Sequence, residues 1–172
     1  MIEDSKLIYQ GRVVRLNLER VRLPNHRVAD LEIIHHPGGA AVLALDDARR
    51  VCLLRQFRHA AGGWIWELPA GKIDNCEPHS QTAQRELQEE AGATAEEWRY
   101  LGPYLSSPGV FTETIHLYLA QRLTVMTNQP EDHEVFTTHW LPIREVIAMA
   151  RRGEIIDGKT LVALFLAEPL IV

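Results

Sequence analysis

Residues 71 to 93 read GKIDNCEPHSQTAQRELQEEAGA, and their spacing sets what the rest of the chain is built around. Pro78 suits the first position of a helix, where its missing N–H costs nothing, and Gly92 suits the residue just past the end. Between them Ala83, Leu87 and Ala91 recur every four residues, which predicts a core-facing stripe. Glu86, Glu89 and Glu90 stand at i, i+3 and i+4, so their carboxylates share a different face. Three like charges held that closely repel, and a cation should neutralise them. Mg²⁺ is the natural candidate, a hard ion held by a few carboxylates together with substrate phosphates. Arg85, four residues before Glu89, is placed to steady it. Glutamates at this spacing alone are ordinarily a solvated face. The conjunction with Gly71, Glu77 and Arg85 sets this helix apart.

The stretch resembles the Nudix box, whose fixed residues are matched by Gly71, Glu77, Arg85, Glu86, Glu89, Glu90 and Gly92, with aliphatic Leu87 among them. At average residue usage, seven chance matches have a probability on the order of one in 10⁸ per register, so coincidence is excluded. One position departs: the family favours a bulky aliphatic after the last glycine, where this chain has Ala93. That weakens a packing contact and leaves the chemistry untouched. The resemblance implies an α/β fold, an α/β/α sandwich around a mixed sheet, and hydrolysis of a nucleoside diphosphate linked to another group. It assigns Glu86, Glu89, Glu90 and the carbonyl of Ala70 to two or three Mg²⁺ ions, with Mn²⁺ as the alternative metal. Gly71, Glu77 and Arg85 are then supporting residues.

Substrate choice lies outside the box. Trp66-Glu67-Leu68-Pro69-Ala70-Gly71 resembles the E-x-P-A-G approach to the box in ADP-ribose pyrophosphatases. Ser107-Pro108-Gly109 places Pro108 sixteen residues beyond Gly92, which resembles the marker of the ADP-sugar subgroup. Leu54-Arg55-Gln56-Phe57-Arg58 also resembles that subgroup, and strand alternation puts Arg55 and Phe57 on one face, Gln56 and Arg58 on the other. Arg58 is the expected diphosphate contact, since guanidinium matches phosphate bidentately; Arg55, Trp66 and Pro108 complete the expected substrate-binding set. Trp64, Trp66 and Phe57 are candidates to stack on adenine. For the general base the subgroup points to an acidic loop after the sheet, here Pro130 to Glu134, with Glu134 first and Glu131 in reserve. Glu113, following Ser-Pro-Gly, is the third candidate. The expected substrate is ADP-ribose or a related nucleoside diphosphate sugar, with AMP and ribose 5-phosphate as the products of ADP-ribose. GDP-mannose and dinucleoside polyphosphates are rivals within the same chemistry. A non-catalytic ADP-ribose sensor is the rival from another class, and such modules typically lose a box glutamate, whereas this chain keeps them all.

The 172 residues suit one domain with a sizeable core. A formal charge of −5 and a pI near 5.9 argue against nucleic acid, which calls for a basic footprint, and so against RNA decapping. The apolar runs Ala40 to Leu45 and Leu161 to Ala167 are too short to span a bilayer. The first residues carry neither a basic start nor an apolar h-region, and Cys52 and Cys76 have no metal or redox spacing, so a cytoplasmic protein is expected. Strands are predicted over 7–19, 28–36, 40–45, 51–57, 64–68, 99–104, 115–120 and 135–141. Helices are predicted over 143–152 and 158–168, the second stopped by Pro169. Residues 1–36 form an N-terminal β segment beyond what a Nudix core (37–172) requires. By resemblance to ADP-ribose pyrophosphatases, that segment implies a homodimer.

Overall fold

The computed structural model describes residues 1–126 and 135–171. Its centre is β4 (Gly39–Ala44), in which every residue is buried. A run of small and aliphatic residues with no polar face can only be covered on both sides, and the chain does this with helices. β4 pairs in parallel with β9 (Thr114–Val125), and in antiparallel with β7 (Ala70–Lys72). A long β8 (Ala93–Leu105) completes the order β7-β4-β9-β8. A second sheet has the order β10-β5-β6, from Phe136–Pro142, Arg50–Arg58 and Gly63–Glu67. A bridge between Leu45 and Val51 links β4 to β5.

Helix α1 (His79–Ala91) packs against β4, β7 and β8. Helix α3 (Gly158–Ile171) covers β4, β8 and β9, and α2 (Ile143–Arg151) packs on β5 and β10. Alternation along β4 divides the interior accordingly. Ala41 and Leu43 join Leu53, Leu119, Val146 and Ala163 in one core, whereas Ala40, Val42 and Ala44 join Leu54, Ala83, Leu87 and Ala91 under α1. The helical layers on both sides of mixed strands are the expected α/β/α arrangement.

Four expectations are corrected. The predicted strand 7–19 is two strands, β1 (Ile2–Gln10) and β2 (Arg15–Arg22), because the chain turns at Gly11, whose N–H bonds the Val14 carbonyl. With β3 (Val28–His35) they form a separate three-stranded sheet, β1-β2-β3, and every residue of β1 is exposed. This sheet meets the remainder through Ile34, which exchanges backbone hydrogen bonds with Val110 and Thr112. The predicted strand 99–104 begins at Ala93 instead, because left-handed Gly92 (φ 59°) turns the helix directly into β8. The box helix starts at His79, with Pro78 as an extended cap (ψ 135°) rather than its first helical residue. Finally, α3 runs through Pro169 to Ile171. In the last turn proline removes one bond, to the carbonyl of Phe165, and that residue is 74% exposed to water.

Leu87 is fully buried between α1 and the sheet. Leu87→Ala is expected to lower unfolding free energy by about 2–5 kcal/mol, measured by urea denaturation.

Candidate active site

The box begins where β7 lies beside β4, with Ala40 opposite Gly71. A Cβ on Gly71 would fall 1.8 Å from Oε1 of Glu86, so only glycine lets this helix lay its first carboxylate against the strand. The following loop is a tight one: Asn75 and Cys76 both have positive φ (48° and 60°), and Glu77 N–H closes on the Asp74 carbonyl. Glu77 then accepts hydrogen bonds from Thr82 Oγ1 at 2.9 Å and from Arg85 at 3.0 Å. Arg85 also donates to Glu86 (2.6 Å), Glu89 (3.0 Å) and the Lys72 carbonyl (3.1 Å). One guanidinium thus ties loop, strand and helix. Burial lowers its pKa, but Glu77, Glu86 and Glu89 outweigh this and raise it. For Glu77, burial pushes upward, and the bonds from Arg85, Thr82 and the Asp74 N–H win, so its pKa is lowered. Glu90 is fully buried, and its Oε2 accepts the Ala70 N–H at 2.7 Å, which sets the Ala70 peptide against the helix.

These groups form one side of a pocket of about 560 Å³. Asp74, Arg85, Glu86 and Glu89 line that side with Ala70 and Gly71. Arg58, Glu67, Asp157 and Lys159 line another part. There Glu67, 1% exposed, accepts Arg58 Nε at 2.7 Å and the ammonium of Lys159. Lys159 also bonds Asp157 at 3.0 Å. Burial depresses the ammonium, yet Glu67 and Asp157 together overcome it, and the Lys159 pKa is raised. His36 and Glu113 also line the pocket, with Nδ1 3.3 Å from the carboxylate. Burial, helped by Lys72, lowers the His36 pKa against the opposing pull of Glu113.

The structure therefore gathers Ala70, Gly71, Arg85, Glu86, Glu89, Arg58 and Glu113 around one pocket, with Glu77 and Glu90 behind them. It does not bring in every expected residue. Arg55 and Trp66 are cross-strand neighbours on the opposite face of β5 and β6, the Arg55 Cζ 5.3 Å from the Trp66 ring centroid. Trp66 packs against the core under α3 and edge-on to His139 (5.0 Å). Pro108 sits in an exposed turn closed by Val110 N–H on Ser107. Glu131 and Glu134 lie outside the described residues. Sequence reading missed Glu67, Lys159, Asp157 and His36 as pocket residues. One signal was present: a lysine in the first turn of an otherwise apolar helix opposes the helix dipole and calls for a reason.

Among the described residues, no three acidic, histidine or cysteine side chains converge into a ready-made metal cage. The donors nevertheless fit Mg²⁺. They are hard oxygens, and Mg²⁺ is usually bound by one or two carboxylates with waters and substrate phosphates rather than by an all-protein cage. The glycine cradle at Gly71 keeps Glu86 at the pocket wall, beside the Ala70 peptide.

The NUDIX domain matches residues 35–164. The chain belongs to the Nudix family. An ADP-ribose pyrophosphatase of Bacillus subtilis (strain 168) is 35% identical over 159 residues, spanning 91% of this chain and 86% of that protein. A GDP-mannose pyrophosphatase of Citrobacter koseri is 36% identical over 146 residues, 77% of this chain and 74% of its own length. Among solved structures, an ADP compounds hydrolase superposes with a TM-score of 0.83 at 19% identity, covering 99% of this chain and 92% of its own, which establishes the Nudix fold. This Nudix protein is a pyrophosphohydrolase.

Gly71→Ala should retain the fold, by circular dichroism, and reduce kcat/KM at least about 10²-fold, since Glu86 must leave its place. The lowered pKa of Glu77 makes a second prediction. Its contribution to stability is present above the unfolded carboxylate pKa and is lost as pH falls through the folded one. Glu77→Gln should therefore be less stable than wild type at about pH 7, by less than about 1 kcal/mol for a partly exposed pair. Urea titrations from about pH 7 to about pH 3 should show that difference vanishing in the acid range.

Proposed function

We propose that this Nudix protein hydrolyses the diphosphate bond of ADP-ribose, or of a closely related nucleoside diphosphate sugar, with Mg²⁺ as its metal. The observation that carries the reading is a single pocket with a carboxylate-rich side from the box and, at another part of its wall, the guanidinium of Arg58, held by Glu67 in a cluster with Lys159 and Asp157. A diphosphate carrying metal needs both. Glu86, Glu89, Glu90 and the Ala70 carbonyl would hold the ions. When bound, such ions lower the pKa of water and offset charge on the phosphoryl oxygens.

The chain's own residues do the remainder. Arg58 grips phosphate oxygens, Arg85 keeps Glu86 and Glu89 in place, and Glu90 anchors the backbone at Ala70 through its bond to that residue's N–H. A water oxygen adds to one phosphorus, the bridging P–O bond breaks, and the water's proton passes to a carboxylate. Glu113 is the described candidate, held beside His36 at the pocket wall; Glu134 and Glu131 are the others. With ADP-ribose the products are AMP and ribose 5-phosphate.

GDP-mannose is the second reading, favoured by the 36% identity to a GDP-mannose pyrophosphatase. The N-terminal sheet, within residues 1–36, serves as a homodimer interface: β1 leaves Ile2, Leu7, Ile8 and Tyr9 exposed, apolar side chains that a second copy would cover. The catalytic domain is then 37–172; Arg55, Trp66 and Pro108 lie away from the pocket and are assigned to substrate recognition beyond the diphosphate, not to its grip. The two unpaired cysteines suit a cytoplasmic setting.

The test compares Mg²⁺-dependent kcat/KM for ADP-ribose and GDP-mannose at equal concentration. Preference for ADP-ribose with the stated products is the expected outcome, and preference for GDP-mannose replaces the substrate. Glu90→Gln is expected to abolish metal-dependent turnover in a folded protein; normal turnover there would remove the helix from the chemistry.

A further inference from the structure

The wall that carries Arg58 contains a buried group that the mechanism above does not use. Glu67 is among the least accessible residues of the chain, and its two oxygens are divided: Oε1 takes Arg58 Nε and Oε2 takes Lys159 Nζ. Lys159 is itself buried, with Asp157 Oδ1 as its second acceptor. Its backbone position is tied to the same strand end, because Asp157 caps Thr160 (2.6 and 3.0 Å) and Thr160 Oγ1 accepts the Leu68 N–H at 2.9 Å. The N-terminus of α3 is thus bolted to the residue that follows Glu67.

Stability does not account for this lysine. A buried ion pair is often no better than apolar residues of the same volume, and a cation in the first turn faces the positive end of the helix dipole. What the lysine does achieve is a division of charge. A buried carboxylate with one cation closes on it with both oxygens, fork on fork. With Lys159 holding Oε2, Glu67 meets Arg58 through Nε at the pocket wall.

We infer that Lys159 is a positioning residue that acts through Glu67 to keep Arg58 presented to the substrate's diphosphate, without touching substrate itself. This rests on the proposed function for the identity of the ligand, though not for the relay. Lys159→Met leaves Glu67 to close on Arg58. Its expected effect is a rise in KM for the linked diphosphate of about 10–100-fold, the range for loss of a supporting partner, with kcat and the Mg²⁺ dependence little changed. Adding Glu67→Gln removes the charge that captures Arg58 and should return KM to within a few-fold of wild type. Lys159→Arg, which keeps the positive charge on Glu67, should hold the loss below about 10-fold.

The same four proteins are titrated with inorganic diphosphate in metal-free buffer by calorimetry, a readout independent of turnover. The affinities should follow the KM order. Unchanged affinity in Lys159→Met, or a loss that the double variant carries undiminished, overturns the relay, the second result making Lys159 a direct anion contact. Lower stability with wild-type KM and affinity also overturns it, leaving a structural lysine. Should Lys159→Met not fold, Lys159→Gln, uncharged but able to bond Asp157, carries the same comparisons. If neither sugar nucleotide is turned over while the diphosphate series behaves as stated, the substrate reading falls and the relay stands.

Discussion

One guanidinium holds the catalytic half of this molecule together. Arg85 reaches Glu77 in the loop, Glu86 and Glu89 on its own helix, and the carbonyl of Lys72 on the neighbouring strand. Arginine suits this because its donors radiate in a fixed plane, whereas a lysine would offer a single point charge. The geometry works only because Gly71 has no side chain: the strand comes close enough for Glu86 to lie where a Cβ would be. The box is therefore a packing solution as much as a set of ligands. Its glycine sets the distance, its arginine sets the orientation, and its buried Leu87 and Ala83 seat the helix on the sheet.

The side that carries Arg58 is built differently. Arg58 comes from the end of β5, Glu67 from the end of β6, and Lys159 with Asp157 from the start of α3. β5 and β6 form an antiparallel hairpin whose register sets Arg58 opposite Gly63, four residues before Glu67 on the same face, whereas α3 arrives from far along the chain. Charges buried this deeply need each other, since removing one partner of such a pair costs about 3–5 kcal/mol. The fold accepts that dependence at the rim of its pocket, where charge has a use. The box carboxylates Glu86 and Glu90 are buried as well, and most of the remaining interior is apolar, in two cores separated by β4.

The box helix, its core stripe, its carboxylate face and the buried β4 were all legible in the residue pattern, because each follows from spacing within a few residues. Alternation likewise placed Arg58 opposite in sense to Arg55, and the pocket lies on the Arg58 side. Where punctuation was weak, pattern and fold diverge. Gly11 alone did not announce the turn that makes β1 and β2 separate strands, and Pro169 did not stop α3, since a proline in a final, water-exposed turn forfeits little.

The sequence by itself determined the chemistry of the box: which residues carry oxygen donors, which glycine must be bare, and which arginine steadies them, all within residues 71 to 93. Only the tertiary structure decided the other wall. Glu67 and Lys159 are 92 residues apart, and nothing in their spacing announces a contact. Their pairing exists because α3 packs across the sheet with its N-terminus at the end of β6, and a buried carboxylate there has to find a cation. Local chemistry is written in local order; long-range charge pairing is settled by burial.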